Sequence, residues 1–445
     1  MIDNPEPTID IGRRLARAEP TQQFGRRLED KLVDWLLSDQ RFKTQVFRLV
    51  DVYPALRSTA DRFDHLYSYL HVEAAPRSVR MGLRLASRSD LGRRGAVRIL
   101  DTSISRMARR FIAGSTPEEA LPTLSELWSE GTAPILDLLG EVTVTDRDAE
   151  RYGTRVDEYL TAVASRMASW PPQDHLVTDH HGPLPRLSVA IKPTALSARY
   201  HPLSSDVGIA EAAQRIRPIL RSAIRHDVFI WFDMEYYAVR DLTVRLFKML
   251  LNEPEFASVN AGIVVQAYLR DSMAQLEDTI EFAGSRSHPI GVRLVKGAYW
   301  DTETVEAAAH GWPSPVYAEK AETDANYEAC TSVLNAAFET VRPAYASHNL
   351  RSVANAIADA QRQKLPDNAL EFQMLYGMGD DLRRATNQLG ARTRFYAPVG
   401  ELIPGMAYLV RRLLENTSNE SFLRQSRTHE ELDELLAPPG PRAVS

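Results

Sequence analysis

The sequence predicts an α/β protein, a (β/α)8 TIM-like barrel preceded by an all-helical lobe. Up to about residue 130 the apolar positions fall only at helical spacing. After Gly131 they gather into short runs separated by amphipathic helices, and about eight such runs can be traced. Alternating β and α units imply a parallel sheet covered on both faces, and eight units imply closure into a barrel with function at the C-terminal strand ends. A doubly wound open sheet is the alternative. No G-x-G-x-x-G or Walker-type loop follows any of the runs.

In chain order, residues 1–20 are polar and proline-bearing, the composition expected of a flexible N-terminal arm. The helical lobe spans 21–130. Phe24, Leu28, Leu32, Trp35 and Leu36 mark one helix, and Phe42, Val46, Leu49 and Val50 mark a second that ends before Pro54. A third helical stretch lies near 101–113. Thr116-Pro117-Glu118-Glu119 then supplies a cap, a proline at the first helical position and a glutamate at the third. The Arg- and Ser-rich segment 73–100 reads as an exposed helix-loop region with a solvated basic face. The barrel spans 131–430. Its expected strands are Pro134–Leu139, Leu187–Ile191, Val228–Phe232, Ala261–Gln266, Ile290–Val295, Ala344–Ala346, Leu370–Met374 and Phe395–Val399. Residues 431–445 form a proline-rich tail.

Hydrophobic content of 44% and charged content of 25% are ordinary for a globular chain, and a net charge of −6 with interspersed signs argues against general nucleic-acid binding. Cys330 stands alone, so no intrachain disulfide and no zinc-ligand spacing exists, which fits a reducing cytoplasm. No metal site is expected. The N-terminus lacks a basic patch followed by an apolar run, and no uncharged apolar stretch nears about 18 residues. Peripheral contact with the inner membrane face stays open.

Two motifs carry chemistry. Val292-Arg293-Leu294-Val295-Lys296-Gly297-Ala298-Tyr299-Trp300-Asp301 is a strand running into a cation, a glycine and two aromatics. That sequence suits the rim of a site for a flat, anionic ligand, or an ordinary strand and loop. The other strand ends read Glu141, Lys192, Asp233, Gln266 with Tyr268, Ser347-His348-Asn349, Leu375-Tyr376 and Tyr396. Together they suggest a shared, partly desolvated mouth. The second motif is Tyr408-Leu409-Val410-Arg411-Arg412-Leu413-Leu414-Glu415. Arg411 and Glu415 at i,i+4 form either a surface ion pair or, with Arg412 and Tyr408, a fork for a small carboxylate beneath an aromatic cover.

With these motifs in order, the chain resembles the proline dehydrogenase family, in particular the catalytic domain of bacterial proline utilization A-type proteins. Residues 293–301 look like that family's fifth-strand signature and 408–416 like its eighth-helix signature. Phe372-Gln373-Met374-Leu375-Tyr376-Gly377-Met378-Gly379 and Tyr396-Ala397-Pro398-Val399-Gly400 also fit. The resemblance runs from about residue 25 to 425. It implies a flavoenzyme that binds FAD noncovalently and oxidises L-proline to Δ1-pyrroline-5-carboxylate by hydride transfer to flavin N5. That is the first step of proline catabolism to glutamate, with electrons passed to a quinone. Lys192, Arg411 and Arg412 would hold the proline carboxylate. Tyr299, Leu375, Tyr396 and Tyr408 would enclose the ring, with Ala298 near it and Asp233 beside the pocket. Glu141 would pair with Arg411 to close the site.

For the flavin, the resemblance implies Arg293, Val295, Lys296 and Gly297 at the isoalloxazine edge and phosphates, and Gln266 and Tyr268 near the ring. Trp300, Ser347, His348 and Asn349 would serve the adenosine half, Glu415 the ribityl or substrate side, and Ser421 and Phe422 the adenine. Larger family members carry a DNA-binding segment ahead of the lobe and an aldehyde dehydrogenase domain after the barrel. Here neither fits within the sequence, which suggests a monofunctional enzyme or a fragment, with an aldehyde dehydrogenase as partner or fused domain. Another flavin barrel using NAD(P)H, and a non-catalytic scaffold docking an aldehyde dehydrogenase, are the competing expectations.

Overall fold

The computed structural model describes residues 6–17, 40–139, 143–401 and 429–440. Ahead of the barrel lie α1 (Glu6–Arg17), α2 (Gln40–Val52), α3 (Thr59–Leu70), α4 (Arg77–Ala86), α5 (Asp90–Arg109) and α6 (Pro117–Ser129). The lobe's core gathers Leu49, Phe63, Leu66, Leu83 and Val97 from α2 to α5. The capping signal at 116–119 forms as its chemistry dictates. The Thr116 hydroxyl accepts the Glu119 N–H at 3.3 Å, and the Glu119 carboxylate accepts the Ser115 N–H at 2.9 Å.

The barrel is closed and parallel, as expected. Its strands are β1 (Thr132–Leu138), β2 (Leu187–Ile191), β3 (Val228–Phe232), β4 (Ala261–Gln266), β5 (Ile290–Val295), β6 (Val341–Ala346), β7 (Glu371–Leu375) and β8 (Arg392–Val399). β1 closes the ring, with Leu136 opposite both Val189 on β2 and Ala397 on β8. Every residue of β3 and β4 is buried, which is why these runs are continuously apolar rather than alternating. Helices α7 (Asp146–Met167), α8 (Ser205–His226), α9 (Arg240–Leu251), α10 (Ser272–Gly284), α11 (Trp300–His310), α12 (Lys320–Ala336), α13 (Leu350–Arg362) and α14 (Asp380–Gln388) cover the outside. Among the described residues no helix is long and apolar enough to cross a membrane.

The interior is packed. Ile135, Ala190, Phe229, Trp231 and Ala344 cluster beneath Tyr396. Trp231 fits because its neighbours are glycines: a Cβ on Gly262 would lie 2.5 Å from its ring, and one on Gly291 2.7 Å. At the base the lining turns ionic. Glu371 accepts from Arg394 at 2.8 Å and Arg392 at 3.2 Å, and Arg342 pairs with Asp179 at 2.7 Å. Further guanidinium donors reach the carbonyls of Thr178, Pro185, Arg186, Pro289 and Asn368. Burial alone would raise the Glu371 carboxyl, but Arg394 and Arg392 outweigh it and hold the pKa down to about 2.

The structure corrects several boundaries. Residues 6–17 are not a flexible arm: they form α1, whose buried Ile11 and Leu15 join the main core, and α1 packs along α13. The start of the expected proline-rich tail is structured as well. A helix, α15 (His429–Leu435), crosses the 430/431 boundary, and Leu436 is fully buried. Arg13 binds Asp433 through two bonds of 3.0 and 2.8 Å, and a Cβ on Gly12 would lie 2.3 Å from Leu436. Arg351 of α13 donates to the Leu436 carbonyl and pairs with Glu328 at 2.7 Å. Burying a leucine or isoleucine contributes about 1.5–3 kcal/mol, enough to order such short helices. The stretch expected helical to 113 leaves the helix after Arg109, because Ala113 N–H turns to the Pro398 carbonyl at 2.8 Å. Within 73–100, α4 and α5 are helical with exposed outer faces. β6 and β8 begin earlier than expected, at Val341 and Arg392, since their buried arginines break the apolar pattern. The expected helix at 24–36 lies outside the described residues.

Candidate active site

The strands deliver their last inward-facing side chains to the barrel mouth, where charges of both signs meet. Lys192 follows β2, and its ammonium binds Asp137 of β1, lies 3.4 Å from the Tyr396 hydroxyl and 3.5 Å from Asp233 Oδ2. Asp233, just after β3, accepts Arg293 Nη1 at 2.7 Å on one oxygen and the Tyr396 hydroxyl on the other. Arg293, on β5 and 4% exposed, also donates from Nε to Gln373 Oε1 of β7 at 2.5 Å. Its guanidinium carbon sits 4.4 Å from the Trp231 ring centre and 5.4 Å from that of Tyr396. Gln373 passes the connection to Glu371 at 2.7 Å, so one buried chain of polar bonds joins mouth and base.

The electrostatics follow from these contacts. Burial would lower the Lys192 pKa, but Asp137 above all, then Tyr396 and Asp233, raise it well above the ordinary lysine value. Burial raises the Tyr396 phenol well above its usual value, reinforced by Asp137 and Asp233. Burial also raises Glu235, which accepts the Thr194 hydroxyl at 2.6 Å. Burial pushes the Cys330 thiol up to about 11, unlike an activated nucleophile.

The other expected residues divide. Gln266 lies near the cluster, donating to the Glu235 carbonyl at 3.0 Å. Leu375 closes β7, and its N–H is accepted by His348 Nε2 at 2.9 Å. Tyr268 is 3% exposed and packs with Leu269, Val316 and Tyr299. Gly297 has φ +130°, and a Cβ there would meet the Tyr268 ring at 2.3 Å, so only glycine fits. Val295 is half-buried at the end of β5, and Ala298 is exposed.

Strand alternation takes Lys296 elsewhere: its ammonium binds Asp324 of α12 at 2.5 Å, and burial lowers its pKa more than Asp324 raises it. Trp300 is 42% exposed and donates to the Tyr317 carbonyl at 2.8 Å. Asn349 caps α13 through Ser352 N–H at 2.9 Å, and its own N–H donates to Ser347 Oγ at 3.1 Å. Glu141, Tyr408, Arg411, Arg412, Glu415, Ser421 and Phe422 lie outside the described residues. Sequence reading missed Asp137, Gln373 and Glu235. For Asp137 a signal existed, a lone acid two residues beyond Ile135 inside an apolar run.

Fold and mouth together define a class: a (β/α)8 barrel with a helical N-terminal lobe and a cluster of buried cations and carboxylates at its C-terminal strand ends. The proline dehydrogenase family profile matches residues 120–425, and the profile described as the proline utilization A N-terminal domain matches residues 6–111. The chain belongs to the proline dehydrogenase family. It is 33% identical over 349 residues to the bifunctional protein PutA of Escherichia coli, covering 76% of this chain and 26% of that protein. Against the proline dehydrogenase of Deinococcus radiodurans it is 28% identical, covering 72% of this chain and 89% of that one. The solved proline utilization A of Bdellovibrio bacteriovorus, inactivated by N-propargylglycine, superposes with a TM-score of 0.86 at 39% identity. That match covers 98% of this chain and 44% of the other. The chain thus spans about a quarter of the curated PutA proteins it matches.

Proposed function

We propose that this chain binds FAD at the barrel mouth and oxidises L-proline to Δ1-pyrroline-5-carboxylate, the first step of proline catabolism. The observation that carries the reading is the Lys192–Tyr396–Asp233–Arg293 cluster, set at the strand ends of a chain of this family. The residues present suit a flavin. Among the described residues, Gln266 Oε1 and Arg293 Nη2 are buried without a hydrogen-bond partner. They are one acceptor and one donor, the two kinds of group that the polar edge of an isoalloxazine requires. When bound, FAD would take the hydride from the ring carbon beside the proline nitrogen.

The chain's own residues bind, orient and exclude water. Lys192, kept cationic, offers its charge to the substrate carboxylate together with Arg411 and Arg412. Tyr299, Leu375, Tyr396 and Tyr408 wall the ring, with Ala298 beside it, and the bulk and hydroxyl of Tyr396 favour proline over hydroxyproline. Glu141 would pair with Arg411 to shut the site. Around the flavin the proposal keeps Val295, Gly297, Tyr268, Trp300, Ser347, His348, Asn349, Glu415, Ser421 and Phe422. Lys296 would have to exchange Asp324 for a phosphate. A quinone as electron acceptor and an aldehyde dehydrogenase as partner complete the reading.

The test is anaerobic mixing of the purified protein with L-proline, hydroxyproline and NADH in parallel, followed by absorbance. A yellow protein bleached by proline is the expected result. A colourless protein that FAD does not reconstitute, or a flavin reduced by NADH and not by proline, overturns it.

A further inference from the structure

Asp137 lies on β1, 1% exposed, in a position where an uncompensated carboxylate is costly. Its compensation is Lys192, two residues past Ala190, which pairs with Asp137 across the β1–β2 ladder. Among the described residues, the groups facing Lys192 are Asp137 from β1, Asp233 after β3, Glu235 beyond it, Tyr396 from β8 and Tyr152 from α7. Arg293 from β5 stands behind Asp233. The two nearest carboxylates are not equivalent. Asp233 is already engaged by Arg293 and by the Tyr396 hydroxyl, whereas the side chain of Asp137 bonds Lys192 alone among the described residues.

We propose that Asp137 is a positioning residue, holding the Lys192 ammonium charged and aimed into the mouth so that a substrate carboxylate meets it from the open side. An ammonium has three N–H bonds. One goes to Asp137, a second lies toward Tyr396 and Asp233, and the third, which meets no acceptor among the described residues, is open to the incoming anion. Asp137 therefore sets the pH range over which the site can grip a carboxylate without touching substrate itself. This rests on the reading of Lys192 as a carboxylate-binding residue.

The variant Asp137→Asn keeps the shape and removes the charge. A desolvated ammonium without its counter-ion deprotonates at lower pH. The first readout is independent of turnover: pH-dependent acylation of the full-length protein, with peptide mass analysis resolving its seven lysines. Acylation of Lys192 at pH 8 should rise at least about tenfold in Asp137→Asn, the effect of one pKa unit, while exposed Lys364 is unchanged. Asp137→Glu, which keeps the charge, should label as wild type does. The second readout is the KM for proline, whose rise with increasing pH should set in at least about one pH unit lower in Asp137→Asn than in the wild type, with KM at pH 6.5 changed under about threefold and kcat little changed. Adding Lys192→Arg should abolish that pH dependence, because a guanidinium stays charged. A folded Asp137→Asn whose Lys192 labels with the wild-type pH profile overturns the proposal, as does Asp137→Glu labelling like Asp137→Asn. If the wild type does not oxidise proline, the functional reading falls while the labelling still decides the role of Asp137.

Discussion

The two ends of the barrel interior are both ionic, yet they are finished differently. At the base, Arg342, Arg392 and Arg394 meet Glu371 and Asp179, and each also donates to at least one backbone carbonyl. At the mouth, Lys192, Arg293, Asp137 and Asp233 neutralise one another, yet Arg293 Nη2 and Gln266 Oε1 stay without partners among the described residues. Saturation is what a structural ion cluster needs, since each stranded buried charge is expensive. Open valences are what a binding site needs. On the proposed function, the same residue types serve stability at one end and recognition at the other.

Breaking the base should have the largest effect. Glu371→Gln strands two buried arginines and should cost about 3–5 kcal/mol of unfolding free energy, measured by denaturant titration. The pH dependence has a definite sign. Glu371 is depressed from 4.5 to about 2, so its stabilisation is present above the unfolded value and is lost as pH falls from about 4.5 toward 2. In the variant that acid limb should flatten. At the mouth, Lys192→Ala should instead weaken proline binding by about 1.5–3 kcal/mol, read as kcat/KM, with a melting temperature less changed than that of Glu371→Gln. A collapse in stability there would erase the distinction between the two ends. The smallest effect is expected at the bridge. Gln373→Ala leaves Arg293 Nε without its acceptor and should cost about 1–3 kcal/mol, divided between stability and binding.

Much of the fold was legible because parallel strands buried on both faces must be apolar runs, and eight such runs separated by helices allow few topologies. Legibility failed where the barrel lining is charged. Arg342, Glu371, Arg392 and Arg394 face inward, and a charge in a short segment reads as its end. The helix at 6–17 was hidden by its prolines and acids, although Ile11 and Leu15 at i,i+4 were there to be read. At the mouth, Lys192, Asp233 and Tyr396 could be found as strand-end residues. Asp137 stood out only as a lone acid inside its strand, and its meaning depends on Lys192, 55 positions away. Lys296 shows a different limit: the signature glycine beside it suggests a ligand role, but its partner Asp324, 28 positions on, could not be read from the sequence.

The docking of α1 on α13 has a consequence in time as well as space. Arg13 and Asp433 are 420 positions apart, and α1 packs against α13 and Leu436, which are made long after it. At synthesis rates of ~5–20 residues per second, roughly 15–70 s separate the emergence of α1 from that of α13. For that interval Ile11 and Leu15 lack the α13 partners that help bury them in the fold. The helix that carries Arg13 thus docks only after the barrel-forming stretch up to α13 has been made.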